Sequence, residues 1–116
     1  MNLSFQNNTL ILKTDKNKEL SKVFPQKIQN AILIKNLVVV LIWSGENDEA
    51  IENLRCFDIQ LNEVWRKRTP YSEQGVSDDF RGLSIKDAKV YVGNFLGWEW
   101  ELNPVTGELT NPVFHK

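Results

Sequence analysis

Two stretches of this chain, Phe57–Val64 (FDIQLNEV) and Leu102–Leu109 (LNPVTGEL), have the sequence pattern of one repeated hairpin. They align at a constant offset of 45 residues. Each begins with an apolar residue and an Asp or Asn, continues through a short loop, and returns. A period of about 40 to 50 residues with a few strands in each unit is typical of repeated β architectures. The repeat therefore predicts architecture rather than chemistry, because one fold can carry many unrelated functions.

Apolar strands precede both copies of this hairpin. Leu37–Ile42 is unbroken β-branched and aliphatic sequence, which is typical of a strand buried on both faces in the middle of a sheet. The segment 90–92 holds the corresponding place upstream of the second copy. We therefore predict two repeat units, at about 36–68 and 80–114, with the polar stretch Thr69–Asp79 between them.

Residues 1–35 are predicted to form a hairpin followed by an extended segment. Asn7 and Asn8 suit a tight turn because Asn tolerates positive φ. Lys13–Lys22 is polar and is predicted to be loop, and Ile28–Ile34 fits either a strand or a short helical turn. Apart from that last segment, the pattern indicates eight or nine strands and no convincing helix.

The clearest alternation lies in the last hairpin, where Trp98, Trp100 and Leu102 alternate with Glu99 and Glu101. In a strand, successive side chains point to opposite faces. The two indoles should therefore share the core face while both carboxylates face water.

The segments Lys89–Asn94 (KVYVGN) and Trp98–Leu109 (WEWELNPVTGEL) together resemble one blade of a pyrroloquinoline-quinone-type β-propeller repeat. Leu37–Trp65 resembles the same pattern more weakly. A closed propeller needs at least four blades, or about 160 residues, whereas this chain has 116. The resemblance implies an all-β fold: an antiparallel meander arranged as two propeller-blade-like sheets, an open partial propeller. It gives no reason to expect a bound quinone.

Composition is typical of one globular domain spanning residues 1–116, with 41% hydrophobic and 25% charged residues. The longest apolar run, residues 37–43, is far shorter than the roughly 20 residues of a membrane span. No secretory signal is visible at the start of the chain, and the single Cys56 forms no internal disulfide, so we predict a cytoplasmic protein without a membrane partner. The lysine-rich first 35 residues contain no Arg, which does not favour nucleic acid as a partner.

The usual catalytic constellations are absent from the sequence. His115 is the only histidine and lies at the end of the chain, and Cys56 lies inside a predicted strand, where an inert core thiol is expected. One Cys and one His do not make a zinc site. Asp78 and Asp79 could bind a cation or act as an acid–base pair, but a solvated surface is the more common role of such residues. We predict no catalytic residues, no metal and no cofactor.

Partner-binding candidates come from an acidic loop and from aromatic residues at strand ends. The loop Ser44–Asn53 carries Glu46, Asp48 and Glu49, which suit electrostatic docking to a basic partner. Trp43 and Trp98 are the tryptophans most expected to stand exposed, because Ser44 and Gly97 place them where loops meet the sheet. Other aromatics that could join such a patch are Trp65, Trp100, Tyr71, Tyr91, Phe80 and Phe95, with Arg66, Lys67 and Arg68 as a cationic rim.

Two functions remain open from the sequence. The first is a non-enzymatic, intracellular protein-binding module, of immunity or adaptor type, that docks through the acidic loop and the aromatic edge. The alternative is a small ligand-binding or carboxylate-dependent, hydrolase-like domain with a pocket between the two sheet units. Association of copies through the sheet edges is a further possibility, since open edges can pair with another chain.

Overall fold

The computed structural model describes residues 1–44 and 51–115, which form three antiparallel sheets. No sheet closes into a barrel within this part of the chain. The first sheet contains β1 (Asn2–Gln6), β2 (Thr9–Lys13) and β3 (Glu19–Val23). The middle sheet contains β4 (Ile28–Ile34), β5 (Leu37–Ile42), β6 (Leu54–Asp58) and β7 (Glu63–Lys67). After the one-turn helix α1 (Pro70–Glu73), the last sheet contains β8 (Phe80–Lys86), β9 (Lys89–Asn94), β10 (Trp98–Leu102) and β11 (Leu109–Phe114).

The all-β fold is confirmed, but the predicted numbers, eight or nine strands and two sheets, are both too low. The described residues form eleven strands in three sheets. The main omission is β3, whose residues were predicted in part to be loop because they are polar. In this edge strand only Leu20 and Lys22 turn toward protein, while the alternate residues are exposed. A strand solvated on one side and along one edge has little apolar sequence to reveal it.

The expectation of no convincing helix is confirmed, since the described residues contain only the one-turn helix α1 of four residues. Thr69 caps it, since its Oγ1 accepts a hydrogen bond from the backbone N–H of Ser72 at 3.0 Å, and Pro70 fits the first turn. One turn is too short to produce a helical period in the sequence. As the only helix among the described residues, α1 is far too short to cross a membrane.

The middle and last sheets begin with the same hairpin, displaced by 52 residues. β4 and β8 each have seven residues, β5 and β9 each have six, and a two-residue turn with positive φ joins each pair. A bulge interrupts both hairpins at matching places, between Ile28 and Asn30 and between Phe80 and Gly82. The ambiguous segment 28–34 is therefore a strand, and the middle sheet starts upstream of residue 36, where the predicted unit begins.

The second hairpins match until their loops, where the offset of 45 residues ends. In both loops the first residue, Asp58 or Asn103, accepts a bond through its side chain from the N–H two residues on, at 2.9 and 3.0 Å. The residue with positive φ then differs: it is Leu61 in one copy and Gly107 in the other, one residue later. The second loop is one residue longer, so β11 begins 46 residues after β7, and the bulge at Val64 in β7 brings the offset back to 45 at Trp65 and Thr110.

The three sheets pack face to face and form two hydrophobic cores. From β5, Val38, Val40 and Ile42 enter the core shared with the first sheet, whereas Val39 and Leu41 enter the core shared with the last sheet. The prediction of a strand buried on both faces is thus confirmed.

On β10, Trp100 and Leu102 are buried against the middle sheet and Glu99 and Glu101 stay partly exposed, as the alternation predicted. Lys89 pairs with Glu101 at 3.5 Å on the outer face of the last sheet. A charged outer face of this kind is compatible with solvent rather than with a further packed sheet.

A buried amide joins the middle sheet to the last. Asn53, fully buried, donates to the carbonyls of Ile42 at 3.0 Å and Phe80 at 2.8 Å, and accepts from the N–H of Phe80 at 3.2 Å. Buried polar groups of this kind are costly to leave unpaired. Asn53 therefore fixes the start of β8 relative to the end of β5, and with it the loops at this end of the sheets.

Candidate functional site

The loops at one end of the middle and last sheets form a cleft of about 570 Å³. The segment 68–79 contributes most of its lining, and residues at the start of β8 and after β9 contribute to it as well. We call this space the loop-end cleft. Its lining includes Arg68, Ser72, Asp78, Asp79, Arg81 and Phe95.

Asp79 holds one wall of the loop-end cleft together. Its Oδ1 accepts a bond from Nε of Arg81 at 2.6 Å, and its Oδ2 accepts one from the hydroxyl of Ser44. The backbone carbonyl of Asp79 also accepts the N–H of Phe95 at 2.9 Å. This residue thereby connects the end of β5, the start of β8 and the loop after β9.

Asp78 holds the segment 68–79 to the loop after β9 through neutral donors. Its Oδ2 accepts bonds from the hydroxyl of Thr69 at 2.6 Å and the amide of Asn94 at 2.7 Å, and its Oδ1 accepts the N–H of Leu96 at 3.3 Å. The Oδ1 of Asn94 in turn accepts the N–H of Trp98 at 2.7 Å. Both carboxylates of the Asp78–Asp79 pair, considered from sequence for cation binding or acid–base chemistry, are engaged in holding loops.

Trp43, Arg81 and Phe95 form an exposed aromatic–arginine cluster at the rim. The guanidinium carbon of Arg81 lies 5.0 Å from the ring centre of Phe95 and 5.9 Å from that of Trp43. Phe95 is 62% exposed and Trp43 is 46% exposed. Because Asp79 holds Nε of Arg81, the cation stays between the two rings, where cation–π attraction contributes about 0.5–1 kcal/mol at exposed sites.

Arg68 reaches the same cleft from the segment after β7. Its Nε donates to the hydroxyl of Ser72 at 3.0 Å, and Ser72 is fixed in turn by the Thr69 cap. Of the predicted cationic rim, Arg68 lies in the cleft, whereas Arg66 is bound to Glu63 at 2.8 Å on β7.

The other tryptophan candidate, Trp98, belongs to a different cluster. Its ring stacks on Tyr71, with ring centres 6.4 Å apart, and contacts Phe114, with centres 5.2 Å apart. Trp98 is half-buried and lines a smaller hollow of about 280 Å³ with Pro70, Tyr71, Trp100 and Pro112. Trp43 and Trp98 therefore belong to separate clusters.

The acidic candidates Glu46, Asp48 and Glu49 lie outside the described residues. The residues on either side of that stretch are described, and both Ser44 and Ile51 line the loop-end cleft.

The reactive side chains considered from sequence lie away from the cleft. Cys56 is fully buried in the core, and burial raises the pKa of its thiol to about 11, with the Asp58 carboxylate adding to the rise. His115 contacts Glu99, with Nε2 and Oε1 3.3 Å apart, beyond the end of β11. Within residues 1–44 and 51–115, no group of three His, Cys, Asp or Glu is arranged to hold a metal ion.

Sequence reasoning did not identify Arg81 as a site residue. The available signal was local, since Asp79 and Arg81 are two positions apart at the start of a strand, where residues i and i+2 share a side. The contact between Trp43 and Arg81 could not be predicted from the sequence. Trp43 is 38 positions earlier in the chain, and the packing of two sheets brings it to Arg81.

Two comparisons with known proteins bear on the fold and the family. A solved structure described as the crystal structure of the computationally designed Ika8 protein is similar, with a TM-score of 0.54 and 16% identity. The match covers 92% of this chain but 34% of that one, so this chain spans about a third of its length, and the likeness concerns the fold alone. No curated protein matches the sequence. A family model matches residues 1–114, and the chain therefore belongs to the family described as Domain of unknown function (DUF7957).

Proposed function

We propose that this chain is a non-enzymatic protein-binding module that docks a partner protein through the aromatic–arginine cluster and the adjoining loop-end cleft. The observation that carries the proposal is the exposure of Trp43 and Phe95 on either side of a guanidinium already held by Asp79.

The composition of this surface fits the residues that dominate protein interfaces. Tryptophan and arginine are enriched among residues that contribute most to binding. Val76 and Leu96, 44% and 37% exposed, add apolar surface in the loops beside the cluster. Exposed apolar surface rimmed by polar groups is characteristic of interaction sites.

Preorganisation supports the same proposal. Immobilising a flexible side chain on binding costs about 0.5–1.5 kcal/mol. Arg81 is already held by Asp79 and two rings, and Asp79 is itself held by Ser44. The Arg81 side chain is therefore held in place before a partner binds, which lowers the entropy cost of binding.

Three features support a non-enzymatic role. The carboxylates of Asp78 and Asp79 are engaged with neighbouring donors, the thiol of Cys56 is buried, and His115 lies at the chain end. The alternative, a ligand-binding or carboxylate-dependent hydrolase-like domain, draws its support from the volume of the cleft between the middle and last sheets, which falls in the range of small-molecule sites.

The setting of this module is part of the proposal. We infer a cytoplasmic protein, for which the single, reduced Cys56 is the supporting feature. The three stacked sheets with two matching hairpins support an arrangement like consecutive blades of an open propeller. Pro112 and the positive φ of Asn111 interrupt the edge strand β11, which favours docking at the loops over pairing at that edge.

The test is site-specific photo-crosslinking in cells that express the chain. A photoreactive residue replaces Val76 in the cleft. In a second variant it replaces Val105, which is 58% exposed in the loop between β10 and β11, at the end of the last sheet away from the cleft. We expect a discrete crosslinked species from position 76 that is absent from position 105. Phe95→Ser and Trp43→Ser should each remove it.

The matched control for these variants is Val105→Ser, which alters an exposed apolar residue away from the cluster and should leave the crosslink unchanged. Unfolding midpoints of the serine variants should stay close to that of the wild type, because surface substitutions usually change stability by less than about 0.5 kcal/mol. A crosslink of equal yield in folded Phe95→Ser and wild-type chains would contradict the proposed function.

A further inference from the structure

We infer that the loop-end cleft receives a carboxylate of the partner protein, an exposed Asp or Glu beside an apolar residue, between the guanidinium groups of Arg68 and Arg81. This inference rests on the proposed function and names the chemistry of the partner that would fit.

The two arginines are held in the same manner. Arg68 is anchored through Nε to the hydroxyl of Ser72 at 3.0 Å, and Arg81 through Nε to Oδ1 of Asp79 at 2.6 Å. In the part of the chain that the structure describes, no acceptor takes a bond from the terminal amino groups of either side chain. Each arginine is thus held through its Nε–H by one acceptor and keeps its terminal donors for a ligand.

Charge in the cleft favours an incoming anion at Arg68. Asp79 pairs with Arg81, but among the described residues Asp78 is bonded only by the hydroxyl of Thr69, the amide of Asn94 and a backbone N–H. Across residues 1–44 and 51–115, no carboxylate lies within ion-pair distance of Arg68. A guanidinium binds a planar carboxylate with two parallel hydrogen bonds, which gives orientation as well as attraction.

The same charges favour a carboxylate over a phosphate group. The lining contains Asp78 and Asp79 as well as the two arginines, so these four charged side chains balance. In a lining of balanced charge, a phosphate group with close to two negative charges leaves a larger unpaired negative charge in the cleft than a singly charged carboxylate does, and a desolvated unpaired charge is costly. Val76 and Phe95 line the same cleft, which is why we expect an apolar residue next to the acid.

The experiment is an NMR titration of the whole chain with three blocked tripeptides and with inorganic phosphate. The peptides are leucine–glutamate–leucine, leucine–glutamine–leucine and leucine–phosphoserine–leucine. We expect the glutamate peptide to shift the Nε–H resonances of Arg68 and Arg81 saturably, with a Kd near about 1 mM, as is reasonable for a few contacts. The glutamine peptide and inorganic phosphate should bind at least about fivefold more weakly, since each lacks one of the two features of the expected ligand.

Arg68→Gln should weaken binding of the glutamate peptide about tenfold, because it removes a charged donor pair while leaving the Arg81–Asp79 contact in place. Arg66→Gln is the matched control: Arg66 is bound to Glu63 on β7, so its loss should leave the titration unchanged. Equal binding of the glutamate and glutamine peptides, tighter binding of the phosphoserine peptide or phosphate, or no saturable shift would overturn the inference.

The crosslinking assay separates this inference from the proposed function. If Phe95→Ser removes the crosslinked partner while Arg68→Gln retains it fully, partner docking stands and the carboxylate site falls. If both variants retain it, the proposed function falls as well. Loss of the crosslink in both variants, together with selective binding of the glutamate peptide, is the result that we expect.

Discussion

The middle and last sheets share a frame but differ at their ends and outer faces. Their first hairpins have the same strand lengths, the same kind of two-residue turn and a bulge in the same place. Between the second and third strands, however, the middle sheet has residues 43–53 and the last sheet only residues 95–97. The cleft and the aromatic–arginine cluster take described residues from both connections: Trp43 and Ser44 from the longer one and Phe95 from the shorter one. The repeated part thus builds a scaffold, and the candidate site arises where the copies diverge.

The strongest test of this comparison exchanges equivalent residues between the two sheets. Leu54 pairs with Leu41 in the middle sheet, and Glu99 pairs with Gly93 at the matching place in the last sheet. Leu54 is fully buried, so Leu54→Glu should cost more than about 4 kcal/mol and prevent stable folding. Glu99→Leu changes a half-exposed residue and should alter stability by less than about 0.5 kcal/mol. Urea unfolding followed by circular dichroism measures both, and similar midpoints for the two variants would disprove two-sided burial of the middle sheet.

The next largest effect should come from the amide that joins the sheets. Asn53→Ala leaves the carbonyls of Ile42 and Phe80 and the N–H of Phe80 without this partner, which should cost about 2–4 kcal/mol. Asn103→Ala is the control, because its exposed side chain accepts one local bond, from Val105, and should cost about 0.5–1 kcal/mol. Equal losses in chemical denaturation would show that the link between the sheets adds nothing to stability.

A smaller effect should separate two glycines that both have positive φ. Gly107, in the last hairpin loop, has φ of +80°, and a Cβ there would lie 3.1 Å from the Trp65 ring. Gly75, after α1, has φ of +85°, and a Cβ there would have no other atom within 4 Å. Gly107→Ala should therefore cost about 2 kcal/mol and Gly75→Ala about 1 kcal/mol, since backbone strain is common to both and crowding affects only the first. Thermal unfolding of the two variants gives the difference, and a Gly107→Ala loss no greater than that of Gly75→Ala would exclude the ring contact.

The smallest effect concerns Cys56, whose place in the last sheet is taken by Glu101. Burial raises the pKa of the Cys56 thiol from 9.0 to about 11, so the folded chain keeps this proton where the unfolded chain has lost it. The contribution of Cys56 to the free energy of unfolding should therefore be constant below pH 9. It should fall as the pH rises from about 9 toward 11.

Thiol labelling at pH 8 checks the same point. Native Cys56 should resist a disulfide reagent until the chain unfolds. A cysteine introduced by Glu101→Cys, on the outer face of the last sheet, should react readily. Rapid labelling of Cys56 in the folded wild-type chain would contradict its burial.

Local sequence patterns were sufficient to predict the strands in which one face is apolar and the other polar, and the strand in which both faces are apolar. Leu37–Ile42 and Trp98–Leu102 were predicted with the bounds that the structure has, because continuous or alternating hydrophobicity directly reflects burial. Glu19–Val23 was missed because a solvated edge strand has no such signal, and the extra residue before Gly107 was missed because both loops preserve the same residue types. Trp43 was a correct expectation of an exposed indole at a strand end, and Trp98 proved half-buried against Tyr71.

By itself, the sequence determined that this chain is all-β, that a hairpin unit is repeated, and that one strand is buried on both sides, since each follows from short-range periodicity. Only the tertiary structure decided that three sheets stack and that Trp43 meets Arg81 and Phe95 across two of them. Those contacts depend on how separate sheets pack, and side-chain packing between distant segments leaves no period in the chain. The shared frame is a scaffold, and we propose that the function lies at the two anchored arginines and at the rings beside Arg81.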